Sequence, residues 1–380
     1  MGLLPIHLRK AFRNIVIYRN RVIATIILLT LGGTAYICSQ ITINSLEYSV
    51  DKALDSYNYD YEVIFSENVS GVINSIIKKA NRISIYEKWK TIDASIMNSE
   101  MLRSDEIRFL IPPEKSMVYT PMISEGRWFN AGDMNKIVLS SHQIDGNHRF
   151  NTGDSINVMI NGTSKTFEVI GFVREAGFRN NYIRVDQQAY DKAASVYRIK
   201  FDNSGSEQVK VNVKNLEDLI RSENLTILNS MSIKEFIKSF ESNSMNLLMF
   251  FSNSALFMII LAGIGLASTM SIQVMGRTKE IGVLQSIGAS RLQIFGMIVL
   301  ETGTIGVLSF LLTICLTIPV SFLLNNILGV ILFGVELYMM MPSEYFITFG
   351  FYIAVIICLA SLAPAQIAAK TSVKEALVYE

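Results

Sequence analysis

Four apolar runs, each long enough to cross a bilayer core of about 30 Å, fix the kind of fold open to this chain. They are Val22–Ile43, Leu247–Val274, Ile294–Leu324 and Tyr345–Ala368. The overall hydrophobic content of 50% is close to that of soluble domains, so the distribution decides, not the average. The charges crowd into the block between the first and second runs. The third run is about 31 residues, or about 46 Å as a helix, longer than the bilayer core. It must tilt, kink or protrude, and Pro319 offers a kink near one end. A net charge of +1 gives no case for nucleic acid as a partner.

Basic residues in the short flanks orient these spans. Residues 1–21 hold Arg9, Lys10, Arg13, Arg19 and Arg21 and no acid, with Leu4, Leu8, Ala11, Phe12, Ile15 and Val16 at helical spacing. This predicts an amphipathic helix along the cytoplasmic membrane face, basic side toward anionic headgroups. Val22–Ile43 exceeds a signal-peptide apolar core and no small-x-small cleavage site follows closely, so it reads as a retained first transmembrane helix. The connector 275–293 carries Arg277, Lys279 and Arg291, and the tail 369–380 carries Lys370 and Lys374. The loop 325–344 has no Lys or Arg and holds Glu336 and Glu344. Both termini and the connector are therefore expected inside, and the block 44–246 and the short loop outside.

At about 200 residues the external block is large enough to bury its own core. Strands are expected over 60–65, 88–97, 106–111, 197–201 and 225–228. Helical faces are expected over 69–82 and through Val209, Val213, Leu216 and Ile220. These pieces suggest one α/β subdomain built from both ends, 44–114 and 196–246. The middle, 115–195, reads as a β-rich insert with strands over 136–140, 155–160, 165–173 and 182–185. Asn161-Gly162 is a hairpin signal inside it. Ile43, Leu46, Val50 and Leu54, and Ile233, Phe236, Ile237 and Phe240, carry helical faces out of the first span and into the second. Ser232 with Glu235 resembles a capping box for the latter. Two stalk helices follow. Their apolar stripes are packing surfaces first, and a stiff stalk also transmits movement.

Little in the chain suggests reaction chemistry. Cys38, Cys315 and Cys358 lie within apolar runs as small fillers, so no disulfide framework holds the polar block. His142, Asp145 and His148 share a polar stretch, but their spacing fits no metal signature and reads as a surface loop; His7 stands apart. No metal or catalytic residue is assigned. Glu301 lies in the third apolar run, where a charge costs about 2.5–3.5 kcal/mol at mid-bilayer. A place near the interface and a basic partner would lower that cost. Gly32-Gly33, Gly263 and Ala267 allow close helix approach within one subunit or between two. No G-x-x-x-x-G-K-[ST] phosphate loop occurs, so the chain itself is not expected to hydrolyse ATP.

The connector is the most informative stretch. Ile281, Leu284 and Ile287 recur at i, i+3, i+6, then Gly288 interrupts and Ala289-Ser290 opens the next segment. A short helix and a turn are predicted, docked on the membrane surface or in a partner's groove.

Arg277, Glu280-Ile281-Gly282, Leu284, Ile287-Gly288-Ala289-Ser290 and Glu301, preceded by Ala262-Gly263-Ile264-Gly265 through Met270, resemble the signature of the FtsX-like permease domain of MacB-type ABC transporters. Glu125-Gly126-Arg127-Trp128-Phe129, Gly153-Asp154 and Val169-Ile170-Gly171 resemble that family's periplasmic core domain. The basic N-terminal helix and the closing Pro364 and Ala376-Leu377 fit as well.

The resemblance implies an α-helical protein of the bacterial inner membrane, with four transmembrane helices and a large α+β extracytoplasmic domain inserted between helices 1 and 2. It implies a homo- or heterodimer with a second permease subunit, driven by two copies of a separate cytoplasmic ABC ATPase that binds the ATP and Mg. A periplasmic adaptor or another extracytoplasmic protein is a further expected partner, beside membrane lipids. Within 275–293, Glu280, Ile281, Gly282, Leu284, Ile287, Gly288, Ala289 and Ser290 would contact the ATPase, with Arg277 and Arg291 flanking at the headgroups; Glu301 is the intramembrane acid. The implied function is export or extraction of a substrate by mechanotransmission. The alternative is transmembrane signalling to an external partner such as a cell-wall hydrolase, and the large two-part external block favours the first.

Overall fold

The computed structural model describes residues 19–80, 82–97, 107–143, 150–175, 178, 180–185, 194–202, 205–334 and 336–370. The expected surface helix before Arg19, the tail beyond Lys370, and His7, Asp145 and His148 lie outside them. In chain order the elements begin α1 (Arg19–Leu54), β1 (Tyr61–Phe65), α2 (Ser70–Lys79), β2 (Ile83–Met97), β3 (Ile107–Ile111), β4 (Met122–Gly126) and β5 (Lys136–Ser140). They continue β6 (Ser155–Ile160), β7 (Thr163–Arg174), β8 (Asn181–Arg184), β9 (Ala194–Phe201), α3 (Ser206–Ser222) and β10 (Ile227–Ser232). The last are α4 (Ile233–Gly276), α5 (Thr278–Ser286), α6 (Arg291–Phe333) and α7 (Glu344–Lys370). Four of these helices, α1, α4, α6 and α7, are long and apolar enough to cross a membrane. The chain divides into a helical unit (through Asn44, Met245–Leu324, and from Met339) and a mixed unit (Ser45–Ser244, Asn325–Tyr338).

Within the helical unit α1 is the most enclosed span: 67% of its apolar window is buried, against 22% for α6 and α7. Its enclosure explains its composition. Thr30, Thr34, Ser39 and Thr42 of α1 and Ser309, Thr313, Thr317 and Ser321 of α6 are all buried. Small hydroxyl side chains permit close approach and can bond to their own helix, although Thr34, Thr42 and Thr317 leave their Oγ1 buried without a partner among the described residues. Ser309 Oγ donates to Ile305 O at 2.9 Å and Thr313 Oγ1 to Ser309 O at 2.8 Å. Cross-helix bonds are longer: Thr30 Oγ1 to Ser309 O and Thr313 Oγ1 to Thr30 O, both 3.5 Å. Helix α7 locks the bundle by seating side chains on glycines. An added Cβ would lie 2.1 Å from Phe349 at Gly33 and 2.2 Å from Ile357 at Gly306.

In the mixed unit β10-β1-β9-β2 form an antiparallel sheet. With α2 and α3 this is a split βαβ arrangement. Ile73, Ile76 and Ile77 of α2 and Val209, Leu216 and Ile220 of α3 join Tyr61, Val63, Phe65, Tyr197 and Ile199 in one core. The insert is more closed than expected. Strand β2 pairs with β3 and β6, β3 with β8, β8 with β5, and β5 and β6 with β7, so the path returns to β2. This six-stranded barrel encloses Ile92, Phe109, Ile137, Val158, Phe167, Phe172 and Ile183, and closure leaves it no open edge. The expected boundary at residue 114 is thus corrected. Both cores share β2, whose 15 residues leave the open sheet and enter the barrel wall, and β3 belongs to the barrel. Asn161 (φ 50°) and Gly162 (φ 80°) make the β6–β7 hairpin turn. Strand β4 was not anticipated; its Ser-Glu-Gly sequence lacks the alternation that marks a strand.

Arg198 of β9 lies where the sheet meets the barrel. Its Nε donates to Glu62 of β1 at 2.7 Å, and its guanidinium carbon lies 3.9 Å from the Trp89 ring centre. Beside it Glu175, just past β7, accepts from Tyr119 at 2.8 Å and Tyr182 at 2.5 Å.

Candidate functional site

The connector between α4 and α6 is a rigid, capped element. Helix α5 ends in a Schellman motif, with Ala289 N–H donating to Leu284 O and Gly288 N–H to Gln285 O, both at 3.0 Å. Gly288 sits at φ +103° with open space around it, so the backbone conformation, not crowding, asks for glycine. Helix α6 then starts with a reciprocal cap. Ser290 N–H donates to Gln293 Oε1 at 2.8 Å and Gln293 N–H to Ser290 Oγ at 3.2 Å. Two caps three residues apart hold the turn between the helices.

Its inner side is pinned twice. Ile281 (3% exposed) enters a small core with Val274, Ile294, Ile298, Ala365 and Ala368, with Ala289 packed against it. Arg277, just before α5, donates Nη1 to both carboxylate oxygens of Glu301 at 3.1 Å and Nε to Glu280 at 3.3 Å. The Arg277 side chain is only 16% exposed and is spent on the carboxylate that α6 buries. Burial pulls the Arg277 pKa down, but Glu301 and Glu280 more than offset it and hold it above its ordinary value.

The expected apolar face is split. Ile281 and Gly282 are buried, Leu284 is half-buried, and Ile287 turns outward at 77% exposure. Lys279, Glu280, Val283, Ser286, Gly288, Ser290 and Arg291 are exposed and Ala289 is half-buried. The outer surface is therefore an apolar row, Val283, Ile287 and Leu292 (80% exposed), edged by Lys279, Glu280 and Arg291. Spacing at i, i+3, i+6 singled out Ile287 but missed Val283 and Leu292. The four-residue step from Val283 to Ile287 was the available signal. Large exposed apolar side chains one turn apart at the end of α5, with Leu292 at the start of α6 beyond the turn, suit a protein groove. Among the described residues no group of three His, Cys, Asp or Glu is placed to hold a metal ion.

Residues 254–373, which contain this connector, match the FtsX-like permease C-terminal family model. Over 248 residues the chain is 26% identical to a macrolide export ATP-binding/permease protein MacB of Bdellovibrio bacteriovorus, covering 61% of this chain and 37% of that protein. It is 23% identical over 336 residues to an uncharacterized ABC transporter permease of Methanocaldococcus jannaschii, covering 78% of each. Among solved structures, the periplasmic region of MacB from Actinobacillus actinomycetemcomitans aligns with a TM-score of 0.31 at 16% identity, over 50% of this chain and 97% of that one. The chain is a multi-pass membrane protein whose last third matches the FtsX-like permease model, and the relatives named above are ABC transporter permeases or MacB proteins; it spans little more than a third of the length of the Bdellovibrio MacB.

Proposed function

We propose that this chain is the membrane subunit of an ABC transporter. A partner ATPase, which would bind ATP and Mg, grips the outer row of the connector, and its cycle moves the extracytoplasmic unit to export or extract a substrate. The observation that carries this reading is the connector's two-sided build. Its inner side is locked by Ile281 and the Arg277–Glu301 pair, while its outer side leaves Val283, Ile287 and Leu292 uncovered. A lever needs that combination, because force applied to a loose loop would be lost in the loop. The basic flanks support cytoplasmic placement of the connector and both termini. Pairing with a second permease subunit completes the reading. Reconstituted with the ATPase, Glu280→Ala and Ile287→Ser variants are expected to lose most of the ATPase stimulation given by the wild-type chain while inserting and folding normally. Unchanged stimulation in both would contradict the assignment.

A further inference from the structure

The link between the last two spans, expected as a free acidic loop over 325–344, is built into the mixed unit. Helix α6 continues to Phe333, and Phe333 and Leu337 are buried. Asn325 Nδ2 donates to Ser45 Oγ on α1 at 3.2 Å, and Tyr338 N–H donates to Ser49 Oγ at 3.1 Å. The Phe333 ring meets Phe240 of α4 edge-on at 6.1 Å. The other side of the segment reaches the barrel. Arg174, the last residue of β7, lies 4.6 Å over the Tyr338 ring and donates Nη2 to Glu336 O at 2.7 Å. Gly334 rests on the turn Ser141–Gln143 that follows β5; an added Cβ would lie 2.3 Å from His142 N. At φ +74° the position favours glycine on backbone grounds too.

Connectivity gives these contacts their meaning. Helix α1 leads into β1, and β10 leads directly into α4. Both strands belong to the open sheet, and the stalk ends also reach the barrel-side loops: Asn58 N–H donates to Val118 O at 2.8 Å and the Phe236 ring of α4 lies 4.4 Å from that of Phe178. The segment at the end of α6 touches the barrel itself.

We infer that Asn325–Tyr338 is a third mechanical link, which carries displacement of α6 directly to the barrel, with Arg174, Gly334 and Tyr338 as its positioning residues. The inference rests on the permease reading above and adds a route to it. A cation over an aromatic ring, a carbonyl bond and a glycine contact together hold the segment to the barrel at three points. The barrel would then receive displacement from α6 in addition to what reaches it from the two stalk helices.

The test is hydrogen exchange on the full chain, reconstituted with the ATPase that co-purifies with it, with and without a non-hydrolysable ATP analogue. In the wild type, nucleotide is expected to change exchange in both the open sheet (β1, β10) and the barrel (β5, β7). In an Arg174→Ala, Tyr338→Ala double variant the barrel response is expected to fall several-fold and the open-sheet response to be kept. An Arg174→Lys, Tyr338→Phe pair, which retains a cation over a ring, is expected to restore it. A barrel that responds equally in the double variant overturns this inference and leaves the permease reading standing. A wild-type chain that responds to nucleotide in neither half overturns both.

Discussion

Arg277 holds one buried and one exposed carboxylate, Glu301 at 3.1 Å and Glu280 at 3.3 Å. The two are not equivalent. Glu280 has a side chain 69% exposed, so that bond is screened by water and adds little stability. Glu301 is 11% exposed, so its charge is poorly hydrated and depends on its pairing with Arg277. Breaking a buried pair by removing one member costs about 3–5 kcal/mol. Arg277→Ala is therefore expected to destabilise the chain by about that amount, read as thermal unfolding in detergent. Adding Glu301→Gln should recover part of the loss. Equal stability of Arg277→Ala and wild type would show that Glu301 finds its compensation elsewhere. The sequence pointed to a basic partner for Glu301, because the chain places an acid in an apolar run. It did not say which, because Arg277 reads equally well as a headgroup anchor until the end of α4 and the start of α6 are seen side by side.

Elements were legible where one periodicity ruled and obscure where two met. The spans stood out through sheer length, and Asn161-Gly162 fixed its hairpin because only a turn with both residues at positive φ suits that dipeptide. The barrel was harder to read. Strand β2 serves two cores along one stretch, so a boundary drawn from composition falls in the wrong place. The apolar run ends at Leu324, where the polar Asn325 and Asn326 follow, yet α6 continues to Phe333, with Asn325 buried and bonded to Ser45. The joint between sheet and barrel left no pattern, since Tyr119 lies 56 residues from the Glu175 it bonds, and Arg198 lies on another strand again. Burial pushes the Glu175 pKa up, against the bonds from Tyr182 and Tyr119 that favour its charge. A raised carboxylate pKa in the folded state means that the folded protein binds the proton more tightly than the unfolded chain. Its contribution to stability is then full at low pH and lost as pH rises through the elevated value. Glu175→Gln, whose amide oxygen can still accept from both tyrosines, is expected to flatten that fall in a series of thermal unfolding scans from acid to neutral pH. An unchanged slope would place the pH dependence in other groups.

For the whole molecule, one arrangement accounts for these features. A capped connector is pinned to the helical unit from inside and uncovered outside, and α1, α4 and α6 each run unbroken from the helical unit into the mixed one. The central claim is that a separate ATPase seats on Val283, Ile287 and Leu292. The most direct measurement is purification of the tagged full chain from its native membranes in mild detergent, wild type beside an Ile287→Glu, Leu292→Glu variant. Both side chains are exposed, so the substitutions should leave the fold intact. The account predicts that an ABC ATPase accompanies the wild type and is lost from the variant, while the variant keeps the wild-type unfolding temperature. An ATPase retained undiminished by the variant, or a wild-type chain that brings none, would contradict it.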